Sequence, residues 1–334
     1  MKRISWYDAT TLKEAQSQAD ATVSSVMSKE KNATSIIKSG GIDVMDLMKE
    51  GLIDPEKIVN IRNIPGLDKI EYDPKNGLRL GANSTLSSIE NNKDIKENYL
   101  ALHQAVSKAA TPQLRNMSTI GGNLGQRTRC WYFRSVDHPC FRKGGITCYA
   151  QNGENEYHAI MNNGSCASVH ASSIATALMA FGATIEVVST DGEIKEIPIE
   201  EFFVTPYEDI NKENVLKKGE IITAVTLPSS KKIKSYYIKQ GARASYDWAI
   251  ADVAVVLELS GKKCKNAKIV LGAASPVPVR SESAENILVN NGISENSAIK
   301  AAEASMEKAT PLEKNGYKVT IFKSILKRAI LKTV

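Results

Sequence analysis

Two short stretches decide the fold of this chain: Ser35-Ile36-Ile37-Lys38-Ser39-Gly40-Gly41-Ile42-Asp43-Val44 and Ser118-Thr119-Ile120-Gly121-Gly122-Asn123-Leu124. Each reads as an apolar, strand-like segment running into a Gly-Gly turn. Neither fits G-x-G-x-x-G or G-x-x-x-x-G-K-[ST], so the usual dinucleotide fold and the P-loop are both unsupported. Adjacent glycines reach backbone conformations closed to other residues and let a ligand approach the main chain closely. Consecutive N–H groups in such turns form a concave anion site suited to a pyrophosphate. Tight turns also use these residues with no ligand, so either Gly-Gly alone is weak evidence.

The rest of the chain supplies the frame. Thr11-Leu12-Lys13-Glu14 reads as a capping box opening a helix to about Ala19. Short strands are expected at Ser35–Ile37, Ile58-Val59 and Ile70–Tyr72, with Asp73-Pro74-Lys75-Asn76-Gly77 turning a hairpin into Leu78–Leu80. Helices are expected over Asp43–Lys49 and from Lys96 to Ala109, and the stripe Ile174, Ala177, Leu178, Phe181 predicts another. Strands follow at Thr184–Ser189, Ile221–Leu227, Ser235–Lys239, Trp248–Leu259 and Ala267–Ala273, then helices near Asn296–Lys308 and Val319–Leu331. Pro228-Ser229-Ser230-Lys231-Lys232 marks a domain boundary, dividing 1–228 from 229–334.

With 334 residues, 42% apolar and 24% charged, the chain has the makings of about two domains with a real core. Its net charge of +6 comes from 43 basic and 37 acidic residues scattered together, without a basic arm. Nucleic acid is therefore not an expected partner. Lys231, Lys232, Lys234, Lys239 and Arg243 read as a solvated face. The uncharged run Tyr157–Ile185 contains Asn162, Asn163, His170, Ser172 and Ser173, which excludes a membrane span. The N-terminus lacks the apolar stretch of a signal peptide.

Four of the five cysteines, Cys130, Cys140, Cys148 and Cys166, fall in one window, and Cys264 stands alone as a free thiol near Gly261-Lys262-Lys263. Without a signal peptide, disulfides are not expected. The spacing C-x9-C-x7-C-x17-C lacks the close pairs usual for zinc. A cubane iron–sulfur cluster needs four thiolates but no close pairs, so cluster and zinc both stay open on spacing. Arg127, Arg129, Arg134, Arg142 and Lys143 would offset the negative charge of a thiolate-bound cluster, or serve a phosphate or the surface. His138 is expected to pack nearby, and Trp131, Tyr132 and Phe133 to form an apolar wall.

Taken in order, these segments resemble the flavin-binding subunit of the molybdenum hydroxylases, the family of xanthine dehydrogenase, carbon monoxide dehydrogenase and the aldehyde oxidoreductases. The resemblance rests on both Gly-Gly turns, Gly81-Ala82-Asn83-Ser84-Thr85-Leu86, Leu114-Arg115-Asn116, Gly219-Glu220-Ile221-Ile222 with Leu227-Pro228, and Arg243-Ala244-Ser245-Tyr246-Asp247. Gly272-Ala273-Ala274 with Pro278, Arg280 and Glu285 continues it. The extra cysteine lobe, at about 124–170 and beginning Gln126-Arg127-Thr128-Arg129-Cys130, resembles that of periplasmic-type aldehyde oxidoreductases, whose flavin subunit carries a [4Fe–4S] cluster. The flavin subunit of 4-hydroxybenzoyl-CoA reductase, which also has such an insert, and a stand-alone flavoenzyme are the alternatives.

The resemblance implies an α+β fold: a two-part FAD-binding domain of the vanillyl-alcohol-oxidase (PCMH) type, then a small C-terminal α/β domain of the CO dehydrogenase flavoprotein type. It implies FAD held by Ile36, Ile37, Lys38, Ser39, Gly40, Gly41, Ile42 and Asp43 and by Ser118, Thr119, Gly121, Gly122 and Asn123. Thr111 and Lys239 are looser candidates near the ring and ribose. Ser173 stands where many members carry a cofactor-contacting aspartate, and Ser39 replaces a common alanine. Cys130, Cys140, Cys148 and Cys166 would hold a [4Fe–4S] cluster. The implied function is an FAD-dependent oxidoreductase subunit with no substrate-oxidising site of its own. It would pass electrons from a small subunit with two [2Fe–2S] clusters to an external acceptor, beside a large molybdopterin-binding subunit. The expected compartment is the cytoplasm, with co-export to the periplasm alongside a partner as the other route.

Overall fold

The structure, a computed structural model, describes residues 3–334 except Ser245 and Lys262. Met1 and Lys2, Ser245 of the Arg243–Asp247 motif and Lys262 of the Gly261–Lys263 turn therefore lie outside the described residues.

Three parallel strands, β1 (Ser5–Asp8), β2 (Ser35–Lys38) and β3 (Lys57–Asn60), form a small sheet in the order β1-β3-β2. Side chains alternate across a strand. Ile36 and Ile58 thus face a core with Leu47, Met48 and Phe133, while Ile37 and Val59 face one with Ala9, Ala15 and Ile61. The helix Ile42–Lys49 follows β2 directly across the first Gly-Gly turn.

A five-stranded antiparallel sheet follows: β4 (Ile70–Asp73), β5 (Gly77–Gly81), β6 (Thr184–Val188), β7 (Ile194–Pro198) and β8 (Ile221–Leu227), in the order β4-β5-β8-β6-β7. In the β4–β5 turn Asp73 Oδ1 accepts from the N–H groups of Lys75 (2.8 Å) and Asn76 (2.7 Å). Gly77 sits at φ +102°, where a Cβ would also strike the Leu227 carbonyl. Only glycine meets both demands.

The C-terminal strands β9 (Ile233–Gln240), β10 (Ala251–Ser260), β11 (Lys263–Gly272) and β12 (Val279–Arg280) form an antiparallel sheet in the order β12-β11-β10-β9. Val253, Val255 and Leu257 of β10 pack into the core of the helices Glu282–Asn291, Glu295–Ala304 and Tyr317–Lys332. Ala254 and Val256 face the other way, into the core of the helix Ser173–Phe181. The sheet is thus a wall shared by two cores. Each large aliphatic side chain fully buried there contributes about 1.5–3 kcal/mol. Among the described residues no helix is long and apolar enough to cross a membrane.

Three local expectations need correction. The expected helix from Lys96 to Ala109 is two, Lys93–Asn98 and Leu100–Ser107, broken at Tyr99 (φ −129°, ψ 55°). The Tyr99 ring is buried and its hydroxyl donates to the Pro228 carbonyl at 2.9 Å, so tertiary packing overrides helix propensity. No strand precedes the second Gly-Gly turn. Thr119 makes a single bridge to Thr85, and Ile120–Leu124 is a short helix capped by the Thr119 hydroxyl. At Thr11 only half a capping box forms: its hydroxyl accepts from Glu14 N–H (3.2 Å), but the Glu14 carboxylate turns to the N–H and hydroxyl of Thr10 (2.8 Å each). The cysteine lobe is largely irregular, with the helix Trp131–Arg134 and single turns at Phe141–Lys143 and Tyr149–Gln151. Cys264 is a buried free thiol on β11.

Candidate functional site

The two Gly-Gly turns lie against each other. A Cβ on Gly40 would run into the Met117 carbonyl oxygen and stand 3.1 Å from Thr119 N. Ser39 Oγ donates to Asn83 Oδ1 (2.5 Å) and lies 2.8 Å from Thr119 Oγ1, stitching the turns together through hydroxyls. Gly41, at φ +81°, is the N-cap of the helix Ile42–Lys49 and brings no side chain to its first-turn N–H groups. Such a helix start suits an anion, which accepts from the free donors and meets the positive end of the helix dipole.

Below the turns, Lys38 is buried, its Nζ donating to Asn60 Oδ1 (3.2 Å) and standing 5.0 Å from the centre of the Trp6 ring. Burial lowers its pKa, the nearby Arg62 adding to the effect and Asp8 opposing it. On the other side, the Asp20 carboxylate accepts from Thr34 N–H (2.8 Å), Ser35 N–H (2.7 Å) and the Thr34 hydroxyl (2.8 Å). Burial would raise its pKa, but these donors outweigh burial and hold it at about 2.

These elements enclose a cavity of about 570 Å³, within the usual range of ligand sites, roughly 300–1,000 Å³. Ile36 to Asp43, Ser118, Thr119, Gly121, Gly122 and Asn123 all line it. Thr111, Ser173 and Lys239 do not. Thr111 caps the helix Pro112–Met117, and Lys239 Nζ donates to the Lys108 carbonyl at 2.9 Å. Ser173 hydrogen-bonds the buried Asp252, which also accepts from the Tyr237 hydroxyl at 2.7 Å. Burial raises the Asp252 pKa against those donors. The cavity also draws in Asp20, Asn83, Arg127 and Glu213. Asn83 belongs to the quoted Gly81–Leu86 segment and Arg127 to the basic cluster, but Asp20 and Glu213 carried no sequence signal. The glycine cradle, the open helix start and the buried Arg127 guanidinium suit FAD, an elongated ligand with a central diphosphate.

Cys130, Cys140, Cys148 and Cys166 line a second compartment, walled by Tyr132, Phe133, Tyr149 and Ala150, with about 10 Å³ of free space. The Cys148 thiol donates to Cys166, which lowers the pKa of Cys166 and raises that of Cys148. Arg142 Nε also donates to Cys166 Sγ at 3.3 Å. Cys130 Sγ lies 3.2 Å from His158 Nε2, and burial pushes the Cys130 pKa up to about 12. Among the described residues no three His, Cys, Asp or Glu side chains are gathered into a ligand set for a metal ion. The four thiols match a cubane cluster in chemistry, each thiolate taking a different iron.

The basic residues around these cysteines mostly answer carboxylates. Arg129 pairs with Asp43 (2.9 Å) and Asp46 (2.7 Å), and Arg134 with Asp43 (2.6 Å), Asp46 (3.3 Å) and Glu50 (3.4 Å). Lys143 donates to the Tyr132 carbonyl (3.1 Å). Of the five, Arg142 is the one whose side chain hydrogen-bonds a sulfur. His138 packs edge-on against Tyr132 and Tyr149, 5.1 Å from each ring centre. His158, which sequence reading passed over, lies 28 residues from Cys130 in irregular chain, with no periodicity to point to it.

Two family descriptions match this chain: FAD binding domain in molybdopterin dehydrogenase over residues 2–230, and CO dehydrogenase flavoprotein C-terminal domain over residues 236–333. It is 33% identical over 249 residues to the aldehyde oxidoreductase FAD-binding subunit PaoB of Escherichia coli (strain K12), covering 74% of this chain and 77% of that one. It is 22% identical over 296 residues to the carbon monoxide dehydrogenase medium chain of Hydrogenophaga pseudoflava, covering 87% and 86%. Among solved structures, carbon monoxide dehydrogenase from Hydrogenophaga pseudoflava superposes with a TM-score of 0.73 at 20% identity, over 99% of this chain and 97% of that one. Quinoline 2-oxidoreductase from Pseudomonas putida 86 gives 0.73 at 21% identity, over 100% and 98%. The structural matches establish the shared fold.

Proposed function

The chain belongs to the FAD-binding subunits of the molybdopterin dehydrogenases, and from that premise we propose that it is an electron-transfer subunit carrying both FAD and a [4Fe–4S] cluster. FAD exchanges electrons singly or in pairs, and a four-iron cluster exchanges them singly. The observation that supports the pairing is the wall the two sites share. Arg127 and Glu213 line the glycine cavity, Arg142 lines the cysteine compartment, and Glu213 pairs with both arginines.

In this reading the Gly40-Gly41 turn and the helix start it opens hold the diphosphate through backbone N–H groups, while the Gly121-Gly122 turn, whose N–H groups donate to the Ala82 carbonyl (2.9 Å) and Thr119 Oγ1 (3.3 Å), gives the cofactor a wall free of side chains. Ser39 and Thr119 keep the turns in contact, and Asn123 is held by the Ser172 hydroxyl at 2.5 Å. Thr111 and Lys239 are kept as looser candidates near the ring and ribose, and Ser173 as the residue at a cofactor-contacting position, though none of the three lines the glycine cavity. Cys130, Cys140, Cys148 and Cys166 supply the cluster ligands, and Tyr132, Phe133 and Tyr149 exclude water from them. The division between FAD-binding and C-terminal domains is placed at residues 228 and 229. The partners are a large molybdopterin-binding subunit and a small subunit with two [2Fe–2S] clusters. That assignment agrees with relatives described as the medium chain of carbon monoxide dehydrogenase and as a subunit of the 6-hydroxypseudooxynicotine dehydrogenase complex.

The test is Cys130→Ala in the assembled complex. The variant is expected to lose iron and to slow the reduction of flavin by substrate, with the flavin retained. Full turnover with unchanged flavin reduction would overturn the role given to the cysteines.

A further inference from the structure

Glu213 occupies a place that no sequence pattern marks. It sits in the loop after Phe202 and is fixed by backbone pairing: Val204 N–H donates to the Glu213 carbonyl (3.1 Å), Val215 N–H to the Phe202 carbonyl (3.0 Å), and Asn214 bridges Phe203. Its carboxylate is buried between two guanidinium groups. Oε2 lies 2.5 Å from Arg127 Nε and Oε1 lies 2.9 Å from Arg142 NH1. Exposure is 3% for Arg127, 9% for Glu213 and 3% for Arg142.

The two arginines serve different sites. Arg127 lines the glycine cavity, where it also donates to Ser24 Oγ (3.0 Å) and the Asn211 carbonyl (3.1 Å). Arg142 lines the cysteine compartment and donates from Nε to Cys166 Sγ (3.3 Å). The Arg127 Nε–H is not aimed along its close oxygen and finds no hydrogen-bond acceptor, so this ion pair is held by charge. One carboxylate therefore sets the position of a cation at each site.

We propose that Glu213 is a positioning residue that couples the two redox sites electrostatically, through Arg127 toward the FAD cavity and Arg142 toward the cysteine compartment. The inference rests on the FAD and [4Fe–4S] reading above. In a buried, low-dielectric wall a single carboxylate acts on both sides, because little water screens it. Electrons added at either site bring negative charge, which the Glu213 carboxylate opposes and the two guanidiniums favour. Coupling of this kind is reciprocal: charge or occupancy at one site biases the other by the same free energy.

The experiment uses the complex as purified with its partners. Flavin and iron are first quantified in the native protein, then the midpoint potentials of flavin and four-iron cluster are measured by anaerobic redox titration, in native protein and in Glu213→Gln and Arg142→Lys. Removing the carboxylate charge in Glu213→Gln is expected to move both potentials to more positive values. Arg142→Lys keeps the charge but withdraws the Nε–H from Cys166, so the cluster potential is expected to fall while the flavin potential stays. The coupling is refuted if Glu213→Gln retains both cofactors and either potential is unmoved. If Glu213→Gln does not fold, Arg142→Lys decides: equal shifts at both sites, or none at the cluster, refute it. A native complex with flavin but no iron beyond the four held by the two [2Fe–2S] clusters of its small subunit sinks the cofactor reading instead, which separates the two failures.

Discussion

Replacing Gly40 by alanine puts a methyl group where the two Gly-Gly turns touch. The new Cβ would enter the van der Waals shell of the Met117 carbonyl oxygen and stand 3.1 Å from Thr119 N. Both neighbours are backbone, so no side chain can rotate away. The strain leaves by one of two routes: the turns separate, or the fold carries it. Overpacking of this kind costs about 1–3 kcal/mol. At about 2 kcal/mol, the first route lowers FAD affinity roughly 30-fold, and the second lowers the melting temperature of the FAD-free protein by about 4–8 °C. Gly316→Ala is the control. Gly316 has φ −58° and nothing within 4 Å of an added Cβ, so its change is expected to stay within about 1 kcal/mol, toward greater stability. Flavin fluorescence titration and thermal melts read both quantities. Native-like FAD affinity and an unshifted melt in Gly40→Ala would refute the argument that the turns meet there.

Asp43→Asn removes the carboxylate that pairs with Arg129 and Arg134 and accepts from Arg127 N–H at 2.8 Å. A loss of about 1–3 kcal/mol is expected, since each guanidinium loses one charge-assisted partner while Arg129 keeps Asp46 and Arg134 keeps Asp46 and Glu50. Limited proteolysis should show faster cleavage confined to the cysteine lobe. Asp20 has its pKa held at about 2, below the ordinary 3.8. Its stabilising effect is therefore full above about pH 4 and is lost as pH falls toward 2. Asp20→Asn should be less stable than the native chain at neutral pH, with the gap closing in acid denaturation curves toward pH 2. Tyr237→Phe leaves the buried Asp252 carboxyl without its 2.7 Å donor, an expected loss of about 1–3 kcal/mol in chemical denaturation. Cys264→Ala should leave the iron content unchanged, whereas Cys166→Ala should lower it. Equal iron loss in the two would show that position among the cysteines does not matter.

The frame of this protein was legible where local rules act alone. The Gly40-Gly41 turn, the Asp73–Gly77 hairpin and the helix Ser173–Phe181 each follow from turn chemistry or from an apolar stripe. Where a distant contact decides, the reading missed. Tyr99 breaks a helix because its hydroxyl meets Pro228, far along the chain. Strand β1, Ser-Trp-Tyr-Asp, lies at a sheet edge with no apolar run to announce it. The cysteines declared themselves by clustering, but His158 and Glu213 reach the site through irregular chain. The basic residues were legible as a cluster and not in their roles, because only the fold shows that Arg129 and Arg134 answer Asp43 and Asp46.

In the proposed function one chain holds a flavin in the glycine cavity and an iron–sulfur cluster on the four cysteines beside it. An anaerobic absorption spectrum of the complex, titrated with dithionite, with flavin and iron quantified on the same sample and on Cys166→Ala, tests it most directly. Flavin bands are expected over broad iron–sulfur absorption, both bleaching on reduction, with about four irons per flavin lost in the variant. Flavin bands with an iron content that Cys166→Ala leaves unchanged would contradict it.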